Sequence, residues 1–155
     1  MKKCYEIINR KEALDFVKQH KKKGHKIVFT NGCFDIIHRG HIELLKKAKE
    51  YGDILIVAIN TDDSVRRLKG NNRPINTCED RAFVLNALLF VDAVTSFEED
   101  TPFEILNEIK PDVLVKGGDY KIEEVVGRDI VEKVIIIPFV KGYSTSNTIA
   151  AIQPL

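Results

Sequence analysis

The sequence predicts a three-layer α/β domain built on a mainly parallel β-sheet. Short apolar segments alternate with helical patterns along the whole chain, as strands and crossover helices do in such sheets. The longest segments are apolar on both faces, which is typical of buried parallel strands. The length of 155 residues fits a single domain over 1–155. A chain of this size buries roughly 70% of its unfolded surface, so it needs neither disulfides nor a structural metal to fold.

Five short apolar segments are the predicted strands. In chain order they span 26–30, 54–59, 93–95, 113–115 and 134–137. The second segment is apolar at every position, so neither of its sides suits solvent. A strand of this kind belongs inside a sheet that has helices on both faces.

The helices between these strands have recognisable ends. Asn9 and Glu12 form a capping pair at the start of the first helix, and Gly24 ends that helix. Thr77 and Thr101 are the expected N-caps of two later helices, each followed three residues on by an acidic side chain. Helical spacing also links Ile42, Leu45 and Ala48.

Composition excludes several classes of protein. The 24 basic and 23 acidic residues nearly cancel, so no broad positive surface for nucleic acid is expected, and the basic run at 21–23 suits a solvated helix end. The three cysteines have no CxxC spacing, which favours a reducing compartment. No apolar stretch has the length of a membrane span, and no signal peptide is visible. We therefore expect a cytoplasmic protein with no nucleic-acid or membrane partner.

Residues that carry chemistry are concentrated in the segments that follow the strands, at 30–41, 60–76, 116–120 and 138–147. We call these four segments the strand exits. Ligands bind beyond the carboxyl ends of the strands in parallel sheets. In the first exit, Gly32 and Gly40 let backbone approach a ligand closely, while His38 and His41 lie three residues apart near the expected start of a helix. Two imidazoles at a helix N-terminus suit an anion whose charge grows during a reaction.

Two other interpretations of this first exit stay open. Asp35, His38 and His41 follow one another at intervals of three and could ligate a metal, although short histidine spacings are weak evidence alone. The histidines could also simply fill or cap the turn. Because two histidines lie within one glycine-flanked segment, we favour the anion site over the metal site and over a purely structural turn.

Cations, glycines and hydroxyls follow the later strands. Four cations lie within eight residues at 66–73 and could neutralise a polyphosphate. A position on a solvated helix face would explain Arg66 and Arg67 without any ligand. It explains Lys69 and Arg73 less well, because both flank a loop. The paired glycines at 117–118 allow a base or sugar to approach, or form a plain turn. The hydroxyls at 144–146 can bind phosphate or cap the last helix.

The first exit resembles the signature of the cytidylyltransferase-like nucleotidyltransferases. That signature, Gly-x-Phe-Asp-x-x-His-x-Gly-His, stands here as Gly32-Cys33-Phe34-Asp35-Ile36-Ile37-His38-Arg39-Gly40-His41. These enzymes transfer a nucleoside monophosphate from a nucleoside triphosphate to a phosphate-bearing acceptor and release pyrophosphate. The resemblance implies a Rossmann-like five-stranded sheet, in agreement with the predicted elements. Neither a GxGxxG pattern nor a P-loop occurs in the chain.

From 26 to 149 the chain is more specifically similar to the adenylyltransferase domain of the bacterial ADP-heptose synthases. The segments that carry this similarity are 66–75, 80–82, 99–102, 115–120 and 144–146. It implies transfer of AMP from ATP to D-glycero-D-manno-heptose 1-phosphate, which gives ADP-heptose for lipopolysaccharide core assembly. It also implies a stand-alone form, without the sugar kinase to which many relatives are fused. The chain departs from the pattern in having no glycine pair at 130–134 and no basic residue at 150–155.

The resemblance also implies roles for the site residues. His38 and His41 would hold the α-phosphate and stabilise the transition state, with Lys69 neutralising charge beside them. The nucleotide-binding residues would be Thr30, Asn31, Gly32, Phe34, Gly40, Arg73, Gly118, Ser144, Thr145 and Ser146. The residues that bind the sugar phosphate would be Asp35, Lys116 and Asp119. Mg²⁺ would arrive with ATP rather than in a metal site of the protein, and a homodimer is expected.

Two alternative functions share this chemistry or this fold. A glycerol 3-phosphate cytidylyltransferase or an FMN adenylyltransferase would use the same histidine pair, and only the segments at 66–75 and 116–120 favour the heptose acceptor. A regulatory subunit that merely binds a nucleotide would need neither imidazole at the α-phosphate. The intact pair, together with Lys69, therefore argues for an enzyme.

Overall fold

The computed structural model describes residues 6–152 and has the predicted three-layer α/β architecture. The strands are β1 (Ile27–Gly32), β2 (Ile54–Asn60), β3 (Ala93–Phe97), β4 (Val113–Gly117) and β5 (Lys133–Ile137). The helices are α1 (Arg10–Lys22), α2 (Arg39–Lys49), α3 (Asp62–Lys69), α4 (Cys78–Ala87), α5 (Phe103–Ile109) and α6 (Thr145–Ile152), with a 3₁₀ turn at Ile122–Glu124. The five strands form one sheet in which every pairing is parallel.

The strand order, β3-β2-β1-β4-β5, puts β1 at the centre of the sheet. The chain adds β2 and β3 on one side of β1 and then crosses to the other side, where β4 pairs with β1. The carboxyl ends of β1 and β4 therefore flank the point at which the direction of winding reverses. Open α/β sheets bind their ligands in the crevice at this point.

Two apolar layers hold the helices to the sheet. On one face α1 and α5 bury side chains such as Val17 and Leu106, and on the other α2 and α4 bury Leu45 and Leu85. Strand β2 is buried at every position, which confirms the prediction made from its lack of a polar side. Within the described residues, no helix has the length and apolar character needed to cross a membrane.

Most of the predicted helix ends are confirmed. Asn9 accepts a hydrogen bond from the Glu12 amide and its own amide donates to the Glu12 carboxylate, while Thr77 caps α4. The prediction that Thr101 caps α5 is wrong, because the helix begins one residue later and Pro102, which has no hydrogen-bonding side chain, occupies the cap. The predictions that involve 1–5 and 153–155 lie outside the described residues.

Candidate active site

A cavity of about 370 Å³ opens beside the carboxyl ends of β1 and β4. All four of the predicted strand exits contribute to its lining. Of the predicted site residues, it brings together Asn31, Gly32, Phe34, Asp35, His38, Gly40, His41, Lys69, Arg73, Lys116, Ser144, Thr145 and Ser146. Sequence positions as far apart as Asn31 and Ser146 therefore meet at one site.

Three predicted site residues do not line this cavity. Thr30 lies two residues before the end of β1, where its side chain is fully buried, so its contact with a nucleotide stays a prediction. Gly118 is buried and forms the turn after β4 with a φ of +129°, and Asp119 is exposed. Neither of these two residues lines the cavity, whereas their neighbours Gly117 and Tyr120 do.

Sequence reasoning missed the apolar part of the lining. Leu44 and three aromatic side chains, Tyr120, Phe139 and Tyr143, line the cavity. All three aromatic residues are exposed, and Phe139 is exposed over 66% of its surface. Tyr120 and Tyr143 lie in strand exits that the sequence marks by their glycines, whereas Phe139 looks like a continuation of the apolar β5 segment. Exposed rings at the mouth of a cavity offer faces on which a nucleobase can stack.

The two histidines hold each other and the start of α2 in place. His38 is the N-cap of α2, and its Nδ1 accepts a hydrogen bond from the Gly40 amide at 3.1 Å. The His38 amide in turn donates to His41 Nδ1 at 3.4 Å. The two rings stack with their centroids 3.8 Å apart, and Phe34 lies against His41 at 5.1 Å. The interpretation that the histidines cap the turn is therefore correct for their Nδ1 atoms.

The other ring nitrogens remain available for a ligand. Because each Nδ1 accepts a backbone N–H, the hydrogen-bond network assigns the proton of each neutral ring to Nε2. Burial lowers the pKa of His38, and burial together with the nearby His38 charge lowers the pKa of His41 to about 4. At neutral pH the pair therefore presents two uncharged Nε2–H donors beside the N-terminus of α2, an arrangement that suits an anion.

Acidification should destabilise the folded protein through His41. Its pKa is about 4 in the folded protein, against an ordinary value of 6.5. Between these values the unfolded chain binds a proton that the folded chain does not, so the free energy of unfolding falls as the pH drops. His41→Gln, which cannot titrate, should lose less stability than the wild type between neutral pH and about pH 5 in urea unfolding. Equal losses would contradict a partly buried, neutral His41.

Asp35 supports a loop rather than a metal ion. Its buried carboxylate accepts hydrogen bonds from Arg73 Nε at 2.6 Å and from the amides of Ile75 and Asn76 at 2.9 Å. Burial alone would raise the pKa of Asp35, but these two amides and Arg73 outweigh burial and hold that pKa below its ordinary value. Because the carboxylate and both Nδ1 atoms are already engaged, Asp35, His38 and His41 do not form a metal site, and residues 6–152 contain no other cluster that could hold one. Contact between Asp35 and a sugar phosphate stays a prediction.

The cations of the site divide into two groups. Arg66 pairs with Asp63, and Arg67 pairs with Asp100 at 2.9 Å, so both belong to a solvated helix face, as one interpretation of the sequence expected. In contrast, the ion pairs within residues 6–152 do not include Lys69 or Lys116.

Lys116 is the more buried of these two lysines. Burial lowers its pKa, and its ammonium group lies 5.5 Å from the centre of the Tyr120 ring. A partly buried cation that has no carboxylate partner needs an anion to complete its environment. Lys69 and Lys116 thus give the cavity lining two cationic side chains, which suits a negatively charged ligand.

The hydroxyls at the start of α6 have structural roles as well. Ser144 Oγ accepts a hydrogen bond from the Asn147 amide at 3.0 Å, and Thr145 Oγ1 donates to the Ile36 carbonyl at 3.3 Å. The second bond joins α6 to the loop that precedes α2, which brings two helix N-termini to the same cavity. Helix N-termini offer unpaired amides and partial positive charge, and both features favour phosphate groups.

Comparison with protein families and curated proteins gives a consistent result. Residues 29–151 match the model of the cytidylyltransferase-like family. The chain is 56% identical over 147 residues to the bifunctional protein HldE of Wolinella succinogenes, which covers 95% of this chain and 31% of that protein. The HldE protein of Helicobacter hepaticus is 54% identical over 147 residues, covering 95% of this chain and 30% of that protein. The chain thus spans about a third of the length of these relatives.

Two solved structures have a similar fold. The lipopolysaccharide core biosynthesis protein from Thermoplasma volcanium is 30% identical, with a TM-score of 0.63 over 78% of this chain and 100% of that one. A pantoate-β-alanine ligase from Francisella tularensis, complexed with an ATP compound and β-alanine, has a TM-score of 0.62 over 94% of this chain and 76% of that one. At 18% identity, the second likeness shows the fold alone.

Proposed function

Because this chain belongs to the cytidylyltransferase-like family of nucleotidyltransferases, we propose that it transfers AMP from ATP to D-glycero-D-manno-heptose 1-phosphate. The products would be ADP-heptose and pyrophosphate. The observation that carries the proposal is the pair of uncharged histidines at the start of α2, beside Lys69 and Lys116. The resemblance of the segments at 66–75 and 116–120, and the similarity to a lipopolysaccharide core biosynthesis protein, support the heptose acceptor.

The proposed reaction is a single displacement at phosphorus. An oxygen of the acceptor phosphate attacks the α-phosphorus of ATP in line, and the bond from that phosphorus to the bridging oxygen breaks to release pyrophosphate. Negative charge grows on the α-phosphate oxygens, to which the Nε2–H groups of His38 and His41 would donate. Burial raises the pKa of the Cys33 thiol, which keeps it protonated and disfavours it as a nucleophile.

The remaining groups of the cavity would bind the triphosphate and the base. Lys69, Arg73 and the start of α6 would face the phosphates, and the exposed aromatic rings at the mouth would contact the adenine. Mg²⁺ would be held mainly by the phosphates of ATP, since the carboxylate of Asp35 is engaged by Arg73 and two amides. Its charge would help to neutralise the departing pyrophosphate.

An adjoining cavity of about 430 Å³ supports a place for the sugar. The two cavities share the residues Asn31, Gly32, Cys33, Lys69, Lys116 and Tyr120. Thr101 lines only the second one, and its hydroxyl can hydrogen-bond to a sugar hydroxyl. We assign the acceptor phosphate to the shared wall, because Lys69 and Lys116 there can bind the acceptor and the nucleotide together.

A panel of nucleotides and acceptors tests the proposed function. We expect ATP with the heptose 1-phosphate to turn over much faster than CTP with glycerol 3-phosphate or ATP with FMN, as read by product mass. A reversed preference would make this chain one of the alternative transferases. No product with any pair, but measurable ATP binding, would favour the regulatory subunit.

Lys69→Ala should both weaken nucleotide use and slow turnover. Lys69 lines both cavities, so its loss removes a cation from phosphates in the ground state and in the transition state. We expect kcat/KM for ATP to fall by about tenfold or more. Lys22→Ala, at the end of α1, is the matched control and should leave the kinetics unchanged. Similar kinetics in the two variants would show that Lys69 is an ordinary surface lysine.

A further inference from the structure

Arg81 is a buried arginine that lies outside both cavities. It belongs to α4, only 1% of its surface is exposed, and it is absent from the lining of the site. Arginine is seldom fully buried unless its charge and its N–H groups are all matched by partners. The positions of its hydrogen-bond acceptors therefore indicate the role of Arg81.

The guanidinium of Arg81 bonds to three separate segments of the chain. Nη1 donates to the Cys33 carbonyl at 2.7 Å, Nη2 donates to the Asp62 carboxylate at 2.8 Å, and Nε donates to the Asn76 carbonyl at 3.1 Å. These partners lie in the loop between β1 and α2, at the first residue of α3, and in the loop before α4. Two of these segments also bond directly to each other, because the Asn76 side chain donates to the Asp35 carbonyl, and Arg81 joins α3 to both.

Each of these segments carries a group of the proposed active site. Asp62 begins α3, and Lys69 ends that same helix. The Asn76 amide donates to Asp35, which also binds Arg73. The third partner, Cys33, precedes the residue that contacts His41. The Arg81 side chain thus fixes the distances between two sets of groups. One set would bind the α-phosphate, and the other would bind the neighbouring phosphates.

The link to His41 passes through Phe34. Phe34 has a φ of +48°, a strained conformation for a residue other than glycine, and such residues persist where the surroundings hold them. Arg81 holds the carbonyl on one side of Phe34, and the amides of Ile75 and Asn76 hold the Asp35 carboxylate on the other. In this conformation the Phe34 ring lies against His41, 5.1 Å between centroids.

We propose that Arg81 is a positioning residue for nucleotidyl transfer, which sets His41, Lys69 and Arg73 at their working distances without touching either substrate. The proposal rests on the proposed function of the site. Lysine cannot replace arginine in this role, because its ammonium group is a single point whereas the guanidinium fork directs N–H groups to three acceptors.

Arg81→Lys tests the proposal, with Arg10→Lys as the matched control. Arg10 also bridges two acidic side chains, Glu99 and Glu108, but it is partly exposed and lines neither of the two cavities. In folded Arg81→Lys we expect kcat to fall by roughly 10²-fold with ATP binding nearly unchanged, because a displaced catalytic group costs this much. We also expect the imidazole NMR signals of His41 to shift, although Arg81 does not contact that ring. Arg10→Lys should alter neither.

The NMR measurement separates this proposal from the proposed function, because it needs no substrate. If the wild-type protein transfers no nucleotide but the His41 signals move in Arg81→Lys, the proposed function fails, while the coupling of Arg81 to the position of His41 stands. Unshifted His41 signals, or wild-type kcat in the folded variant, would overturn the positioning role. Should Arg81→Lys not fold, Asp62→Asn keeps the buried guanidinium and weakens one of its bonds. It should reduce kcat by about tenfold, and wild-type kcat there would equally overturn the proposal.

Discussion

Replacing His41 by alanine should lower kcat for AMP transfer by roughly 10²–10³-fold while ATP binding changes little. His41 is held by the His38 amide, by stacking on His38 and by the Phe34 ring, so its Nε2–H is fixed before substrate binds. A fixed donor strengthens its hydrogen bond as charge develops on the α-phosphate, and it pays no reorganisation cost at that moment. Removing such a donor affects the transition state far more than the bound substrate.

His38→Ala and His41→Gln complete this test. His38→Ala should lose turnover to a similar extent, and it should also weaken the start of α2 because His38 caps that helix. His41→Gln keeps a side-chain N–H near the position of Nε2, so it should recover part of the turnover. Near-normal kcat in folded His41→Ala would remove that residue from the mechanism. Zinc bound to the wild-type protein and lost from both alanine variants would instead revive the metal hypothesis.

Gly40→Ala should preserve or raise stability and still reduce kcat by roughly 10–10²-fold. Gly40 is the second residue of α2, and alanine favours a helix over glycine by up to about 1 kcal/mol, the value for helix interiors. A Cβ at this position, however, would lie 3.0 Å from Cε1 and Nδ1 of His38 and 3.4 Å from the Tyr143 Cβ. The His38 ring must give way by a few tenths of an ångström, which moves one of the two donors and disturbs its stacking on His41.

Arg39→Ala is the control for this substitution. Arg39 precedes Gly40 in the same turn, is exposed and pairs with Glu43 on the solvent side. Thermal unfolding and steady-state kinetics on the two variants should therefore separate a helix effect from a site effect. Full activity in Gly40→Ala would mean that the exact place of the His38 ring does not matter for turnover.

The parts of this protein that local patterns dictate could be predicted from its sequence. Strand β2 has no polar side, and Asn9 with Glu12 forms the expected cap, so both are found where expected. The strand exits also meet at one cavity, since parallel strands bring their carboxyl ends to the same edge. The sequence ends the first strand at Thr30, two residues too early, because the end of β1 depends on pairing with β2, and that pairing extends to Gly32.

The roles that depend on distant partners could not be predicted. Asp35 reads as a ligand-binding carboxylate in the motif, yet its partners lie some forty positions away at Arg73, Ile75 and Asn76. Arg81 belongs to a segment, 80–82, that carries the family resemblance, but only the fold reveals that three segments converge on it. The histidines illustrate the same limit, because a spacing of three residues cannot tell which ring nitrogen caps the helix and which one faces the cavity.

Transfer of label from ATP tests the central claim most directly. ATP labelled at the α-phosphorus and ATP labelled at the γ-phosphorus would each be incubated with the protein, Mg²⁺ and the heptose 1-phosphate. We expect the α-label to appear in the sugar nucleotide and the γ-label to appear only in pyrophosphate, because the acceptor attacks the α-phosphorus. Transfer of the γ-label to the sugar would instead reveal a kinase, and retention of both labels in ATP would contradict nucleotidyl transfer to this acceptor.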